Sequence, residues 1–214
     1  MTRLPKRHLT QLVNAPQPAA WRPWLALALV MATSAAAHAA PKKPDGKKYH
    51  FELSAVTAKA EVKADVAKSA TPRVEAQVKK AFMTHPQLVA TLDGAPDPRT
   101  SAEAYRKYLA KKAIAGAYLV TVEITDASEE LVPFEDKPNA QRLVIHIGIH
   151  MLGENIPGRT MGFTGDGKAT IKQEVGLKIR DTDRQHTWDD AAELAVDDAM
   201  KTVFKQLAVP AKKQ

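Results

Sequence analysis

The 214-residue chain contains no cysteine. That excludes a fold stapled by disulfides, and it excludes a lipid-anchored precursor, which carries its acyl chains on a cysteine at the cleavage site. Stability must therefore come from an ordinary hydrophobic core. The chain also has no G-x-S-x-G elbow, no D-x-D-x-D-G calcium loop and no internal repeat. Without them, no local arrangement names a nucleophile with its base or a calcium ligand set. Its apolar run, "WLALALVMATSAAA" from Trp24 to Ala37, is shorter than the ~20 residues that cross a bilayer.

What surrounds that run gives it a meaning. Arg3, Lys6, Arg7 and Arg22 precede it and Ala37-His38-Ala39 follows it. A basic segment, an apolar core and small residues at the end form the three-part build of a secretory signal peptide. Residues 1–39 are accordingly expected to be a signal peptide cut after Ala39, which places the mature chain in the periplasm or outside the cell. Residues 40–48 read as a flexible basic lead-in, 49–209 as one domain and 210–214 as a basic tail. The formal charge of +7 shrinks when the leader is removed, because it holds four of the 31 basic residues and none of the 24 acids. The remaining balance is 27 minus 24, or +3. Most of that excess sits in the two ends, "PKKPDGKK" and "PAKKQ", so a nucleic-acid partner is not expected.

Along the expected domain, "YHFELSAVTA" alternates Phe51, Leu53 and Ala55 against polar neighbours, the period of a half-buried strand. Thr71-Pro72 reads as the start of a helix that buries Val74, Val78, Ala81 and Phe82 and stops before Pro86. "QLVATL" (87–92) reads as a strand. A second helix is expected to start at Thr100 with Glu103 completing a capping box and Gly116 as its left-handed stop. "AYLVTVEIT" and "RLVIHIGIHM" are the clearest strands. Their inward sets are Tyr118, Val120, Val122 and Ile124, then Leu143, Ile145, Ile147, Ile149 and Met151. A further strand carries Ala169, Ile171, Val175, Leu177 and Ile179 inward, with Gln173 out of place on the apolar side. The last element is a helix capped by Thr187 that buries Trp188, Ala192, Ala195, Val196, Ala199, Val203 and Leu207. Each strand has one apolar and one polar side, so the fold class is α+β, a mainly antiparallel sheet with helices packed on one face.

"GFTGDGKAT" (162–170) comes within one residue of a phosphate-binding loop, but Ala169 stands where the magnesium-binding hydroxyl belongs. Turn residues precede it and a strand pattern follows it, so Asp166-Gly167 reads as a hairpin turn rather than a nucleotide site. His146 and His150 share a strand face, but residues four apart on a strand lie ~13 Å from one another, too far for one metal ion. The acidic row Asp190, Glu193 and Asp197 reads as a solvated helix face. The segment "ASEELVPFEDKPNA" (127–140) reads as a loop, and Leu131, Val132 and Phe134 on it are the candidate partner-binding residues.

The order strand, helix, strand, helix, three antiparallel strands, helix resembles the small periplasmic α/β domains of bacterial envelope assembly proteins. Among these are the lipoprotein activators of penicillin-binding proteins, the curli-secretion lipoproteins and the amino-terminal domain of the Tol-system protein. "KKAIAGAYLVTVEIT" (111–125) and "WDDAAELAVDDAMKTVFKQL" (188–207) carry the likeness. The resemblance implies binding to partners and no catalytic residues; membrane anchoring does not carry over, since the cysteine is missing. The expectation is an exported envelope protein that serves as a non-catalytic binding or assembly module. No cofactor or metal is expected, nor stable membrane insertion after cleavage, and the partner is another envelope protein or polymer. The rival is an envelope hydrolase with dispersed site residues, which clustering of His146, His186 and acids in one cleft would favour.

Overall fold

Leu143, Ile145, Ile147, Ile149 and Met151 are all buried, and the layers of the fold are arranged about them. The computed structural model describes residues 46–209. They run β1 (Lys48–Ala58), α1 (Ala64–Thr84), α2 (Ala102–Lys111), β2 (Ile114–Pro133), β3 (Ala140–Asn155), β4 (Met161–Gly176) and α3 (Asp181–Ala208). The expected signal peptide, most of the lead-in and the basic tail lie outside the described residues. The sheet order is β1-β2-β3-β4. β2, β3 and β4 form an antiparallel meander, whereas β1 pairs parallel with β2 across the helical connection, so the α+β class holds with a mixed sheet.

α1 and α3 cover the same face. Val74, Val78 and Phe82 of α1 and Trp188, Ala192, Ala195, Val196, Ala199 and Val203 of α3 join the inward strand residues in one core. α2 makes a smaller cluster, with Tyr105 and Leu109 against Ile114 and Ala117 at the start of β2. Ala117 precedes the core residue Tyr118, and successive strand residues point to opposite sides.

Two irregularities switch which residues face inward. The β1–β2 register shifts between Leu53 and Ala55, so Tyr49, Phe51 and Leu53 pack against or within the core, then Val56 and Ala58 do. Ala55, expected inside, is exposed as a result. The β2–β3 register shifts between Ile124 and Asp126, after which Ala127 is the buried residue. A bulge inserts one residue and turns every later side chain to the other face.

Asp166-Gly167, expected as a hairpin turn, is no turn. β4 runs unbroken through it, with Gly167 opposite Ile149 and Asp166 opposite His150. The chain reverses at residues 156–160, where Arg159 adopts φ 51° and its N–H bonds the Asn155 carbonyl. The glycines serve packing instead. A Cβ on Gly165 would lie 2.5 Å from Val203 Cγ2 and 2.9 Å from the Ala199 carbonyl; one on Gly167 would lie 2.5 Å from the Ala199 nitrogen. Glycine is required because the helix backbone rests on the strand backbone.

Other expectations shift for local reasons. α1 begins at Ala64, so Thr71 and Pro72 lie inside it. Proline there forgoes one backbone bond, yet the burial of Ala70, Val74 and Val78 on one face holds the helix together. Residues 87–92 form no strand; only Leu88 bridges to Tyr49, through Tyr49 N–H to Gln87 O and Val89 N–H to Tyr49 O. α2 follows Ser101 without a side-chain cap, Glu103 pairs with Lys107, and Ala113 at φ 55°, not Gly116, takes the left-handed position. Thr187 caps nothing: it sits buried within α3, donating to the Asp183 carbonyl at 2.7 Å and bonding the inward-facing Gln173. That bond explains a polar residue on the apolar side of β4. Leu177 lies beyond the end of β4 and is exposed.

Gly167→Ala should lower the urea midpoint by the equivalent of about 1–3 kcal/mol, the usual cost of overpacking. Gly176→Ala, whose added methyl would meet nothing nearer than 3.9 Å, should leave it nearly unmoved. Equal midpoints for the two variants would show that α3 does not rest on β4.

Candidate functional site

The face of the sheet away from α1 and α3 carries the even-numbered residues of β3 and β4, since their odd-numbered neighbours supply the core. On its distal part β2, β3 and β4 pair in the rows Ser128–His146–Thr170, Glu130–Val144–Lys172 and Val132–Arg142–Glu174. Residues 127–133, expected as loop, therefore belong to β2, and the connection to β3 is only 134–139.

This changes what the three candidate residues can do together. Leu131 and Val132 are neighbours on a strand and point to opposite sides, with exposures of 44% and 40%. Leu131 follows Ala127 and Glu129 on the helix-covered side, while Val132 lies on the uncovered face, diagonal to Val144. Phe134 joins Val132: the Arg142 guanidinium lies 4.7 Å from its ring centre and Lys137 Nζ 5.3 Å. Lys137 also donates to both oxygens of Glu174, at 2.8 and 3.0 Å. The hydrogen bond and charge of Glu174 raise the Lys137 pKa above its ordinary value. The arrangement is an aromatic ring and two valines framed by cations. It can hold an apolar side chain and an anionic group together. Nothing in the sequence alone marked Arg142, Lys137, Glu174 or Val144, because they meet only through the strand register.

Two histidines lie further along the same face. His146 Nδ1 is 2.8 Å from Thr170 Oγ1 and its Nε2 is 3.3 Å from Asp126, while His150 Nδ1 is 2.7 Å from Asp166. Each has its own partner. Among the described residues no group of three or more histidine, aspartate or glutamate side chains is placed to hold a metal ion. His186 lies on α3, on the other side of the sheet from His146, so the clustering that would favour a hydrolase does not occur between them.

Two of the depressions elsewhere on the surface hold charged side chains. A cleft of about 140 Å³ is lined by Glu52, Arg99, Glu154 and Arg159 over Leu119 and Ile156. It is smaller than the ~300 Å³ at which ligand pockets usually begin. An open hollow at the end of α3 holds His85, Asp197, Lys201 and Phe204. There the His85 ring stacks on Phe204 at 4.0 Å and its Nδ1 accepts the Gln87 N–H at 3.3 Å. Burial lowers the His85 pKa, against a smaller opposing pull from Asp197.

No protein-family model matches the chain, and no curated protein matches it. Solved structures similar to it include a chain described as a lipoprotein from Caulobacter crescentus CB15, at 11% identity over 75% of this chain and 93% of that one, TM-score 0.43. The rare lipoprotein B from Shewanella oneidensis is similar at 9% identity over 74% and 96%, TM-score 0.36. A minor lipoprotein from Acinetobacter baumannii is similar at 10% identity over 72% and 91%, TM-score 0.36. No functional conclusion follows from likenesses this distant. No helix among the described residues is long and apolar enough to cross a membrane.

A histidine that takes its proton less readily when folded leaves the unfolded chain holding more protons just below the ordinary imidazole pKa. Stability then falls as pH drops through that window. The urea midpoint of the parent should therefore decline more between about pH 7 and about pH 5 than that of His85→Gln. Equal declines would show that His85 is not desolvated in the folded state.

Proposed function

We propose that the chain is an exported bacterial envelope protein that acts as a non-catalytic binding module, docking another envelope protein on the distal part of its uncovered sheet face. The observation that carries this reading is the convergence of Val132, Arg142, Val144 and Glu174 on β2, β3 and β4 with Phe134 and Lys137 on the 134–139 connection, on the face no helix covers. A structural role alone would fold these apolar groups under a helix. An exposed apolar centre with charged neighbours is the common anatomy of a protein-binding patch. Leu131, on the other side of the strand, belongs to this site only as a margin. Export is read from the leader, with its basic start, apolar run and Ala37-His38-Ala39 ending.

The reading is tested by placing a photo-crosslinking residue at Val132 in the full-length protein, in the bacterium that makes it. The control is the same residue at Glu75, on the exposed side of α1. A discrete adduct to one envelope protein at Val132, absent at Glu75 and abolished by Phe134→Ser, is the expected outcome. The same adducts at both positions, or none at Val132, would overturn the reading.

A further inference from the structure

β4 is an edge strand, and α3 covers only half of its edge. The Thr164 N–H donates to Gln206 Oε1 at 2.9 Å, the Asp166 carbonyl accepts from Thr202 Oγ1 at 3.3 Å, and the Lys168 N–H donates to Asp198 Oδ2 at 3.2 Å. The spacing is regular. Four residues of helix advance about 6 Å, and two residues of strand advance about 6.8 Å. Gln206, Thr202 and Asp198 thus step along the helix as Thr164, Asp166 and Lys168 step along the strand. They also show that even-numbered residues of β4 turn their backbone groups outward.

Continued by one step, the series would set Leu194 beside Thr170, and there the hydrogen bonds stop. Leu194 can neither donate nor accept, and it is 49% exposed. Among the described residues no side chain bonds the outward backbone groups of Thr170, Lys172 or Glu174. Lys168 and Lys172 form no ion pair among these residues either, and their side chains lie on the uncovered face. The bare half-edge therefore has free donors and acceptors, an apolar side chain on one side and two unpaired ammonium groups on the other.

We propose that this half-edge, from Thr170 to Glu174, accepts an extended segment of the partner protein as a fifth strand. The segment alternates apolar and acidic residues, the apolar ones resting on Leu194 and the acidic ones facing Lys168 and Lys172. Backbone hydrogen bonds to the edge give affinity and the alternating side chains give selectivity. A second copy of this chain is a poor occupant, since antiparallel pairing of two β4 edges about Lys172 would set lysine against lysine. The inference deepens the proposed binding role and rests on it; the bare edge adjoins the Val132–Phe134 patch through Lys172 and Glu174.

The test uses the full chain and an end-capped ten-residue peptide alternating valine and glutamate, followed by backbone amide NMR and fluorescence anisotropy. Binding should shift the amides of Thr170, Lys172 and Glu174. Lys172→Glu should weaken it at least tenfold, as should exchanging glutamate for lysine in the peptide. Thr170→Pro, which removes an outward N–H without removing a bond to β3, should abolish binding. Lys172 is exposed, so Lys172→Glu remains informative if the proline variant does not fold. Absent binding, binding indifferent to Lys172→Glu, or a dimer of the chain that occupies the edge would overturn the inference. Shifts confined to Val132 and Phe134 would also overturn it while leaving the docking role of that face intact.

Discussion

The contact between the α3 backbone and the β4 backbone is the constraint on which the rest of this structure depends. Gly165 and Gly167 leave no side chain between strand and helix, and Ala195 and Ala199 supply the smallest helical surface that still buries apolar area. Close packing brings the helix near enough for Asp198, Thr202 and Gln206 to reach round the strand and satisfy its edge. It also fixes the axial position of α3, which seats Trp188 so that its Nε1 donates to Glu129 at 2.9 Å while Arg184 binds the other carboxylate oxygen at 2.7 Å. One short approach thus decides where the sheet is sealed and where it is left open.

Much of the fold was legible because its best elements obey a simple period. The inward set of β3 could be read without error, and most of the buried side of α3 as well, though Ala191 and Met200 were missed and Leu207 is only partly buried; both elements keep their spacing for several turns or pleats. Reading failed where a residue type has two uses. Glycine beside aspartate signals a turn, but in β4 glycine admits a helix, and no local pattern separates the two. Proline signals a helix start, but Pro72 lies inside α1 because the burial on either side of it exceeds the lost bond. Bulges leave no composition signal, so the switch of inward residues after Leu53 and after Ile124 could not be foreseen.

The candidate site was legible only in part, and for a related reason. The sequence placed Leu131, Val132 and Phe134 in one run of residues, and a loop would have let them act together. A strand separates Leu131 from Val132 by the thickness of the sheet. What Val132 and Phe134 gain in exchange comes from elsewhere: Arg142 and Val144 through β3, and Glu174 through β4. Contacts made by register are invisible until the pairing is known. The histidines were the converse case, since His146 and His150 could be separated by strand geometry alone.

The parallel pairing of β1 with β2 has a kinetic consequence. Lys48 and Ile114 are partners 114 minus 48, or 66, positions apart, whereas β2 pairs with β3, β3 with β4, and β4 packs on α3, each beside the next element in the chain. Closing a long loop costs entropy before its contacts reward it, so local pairings form sooner. The meander and its helix are expected to assemble first, with β1 and α1 docking late. Until they do, residues 117–124 of β2 present an unpaired edge beside the side chains of Tyr118, Val120, Val122 and Ile124. That interval is when the chain is most exposed to pairing with the wrong strand.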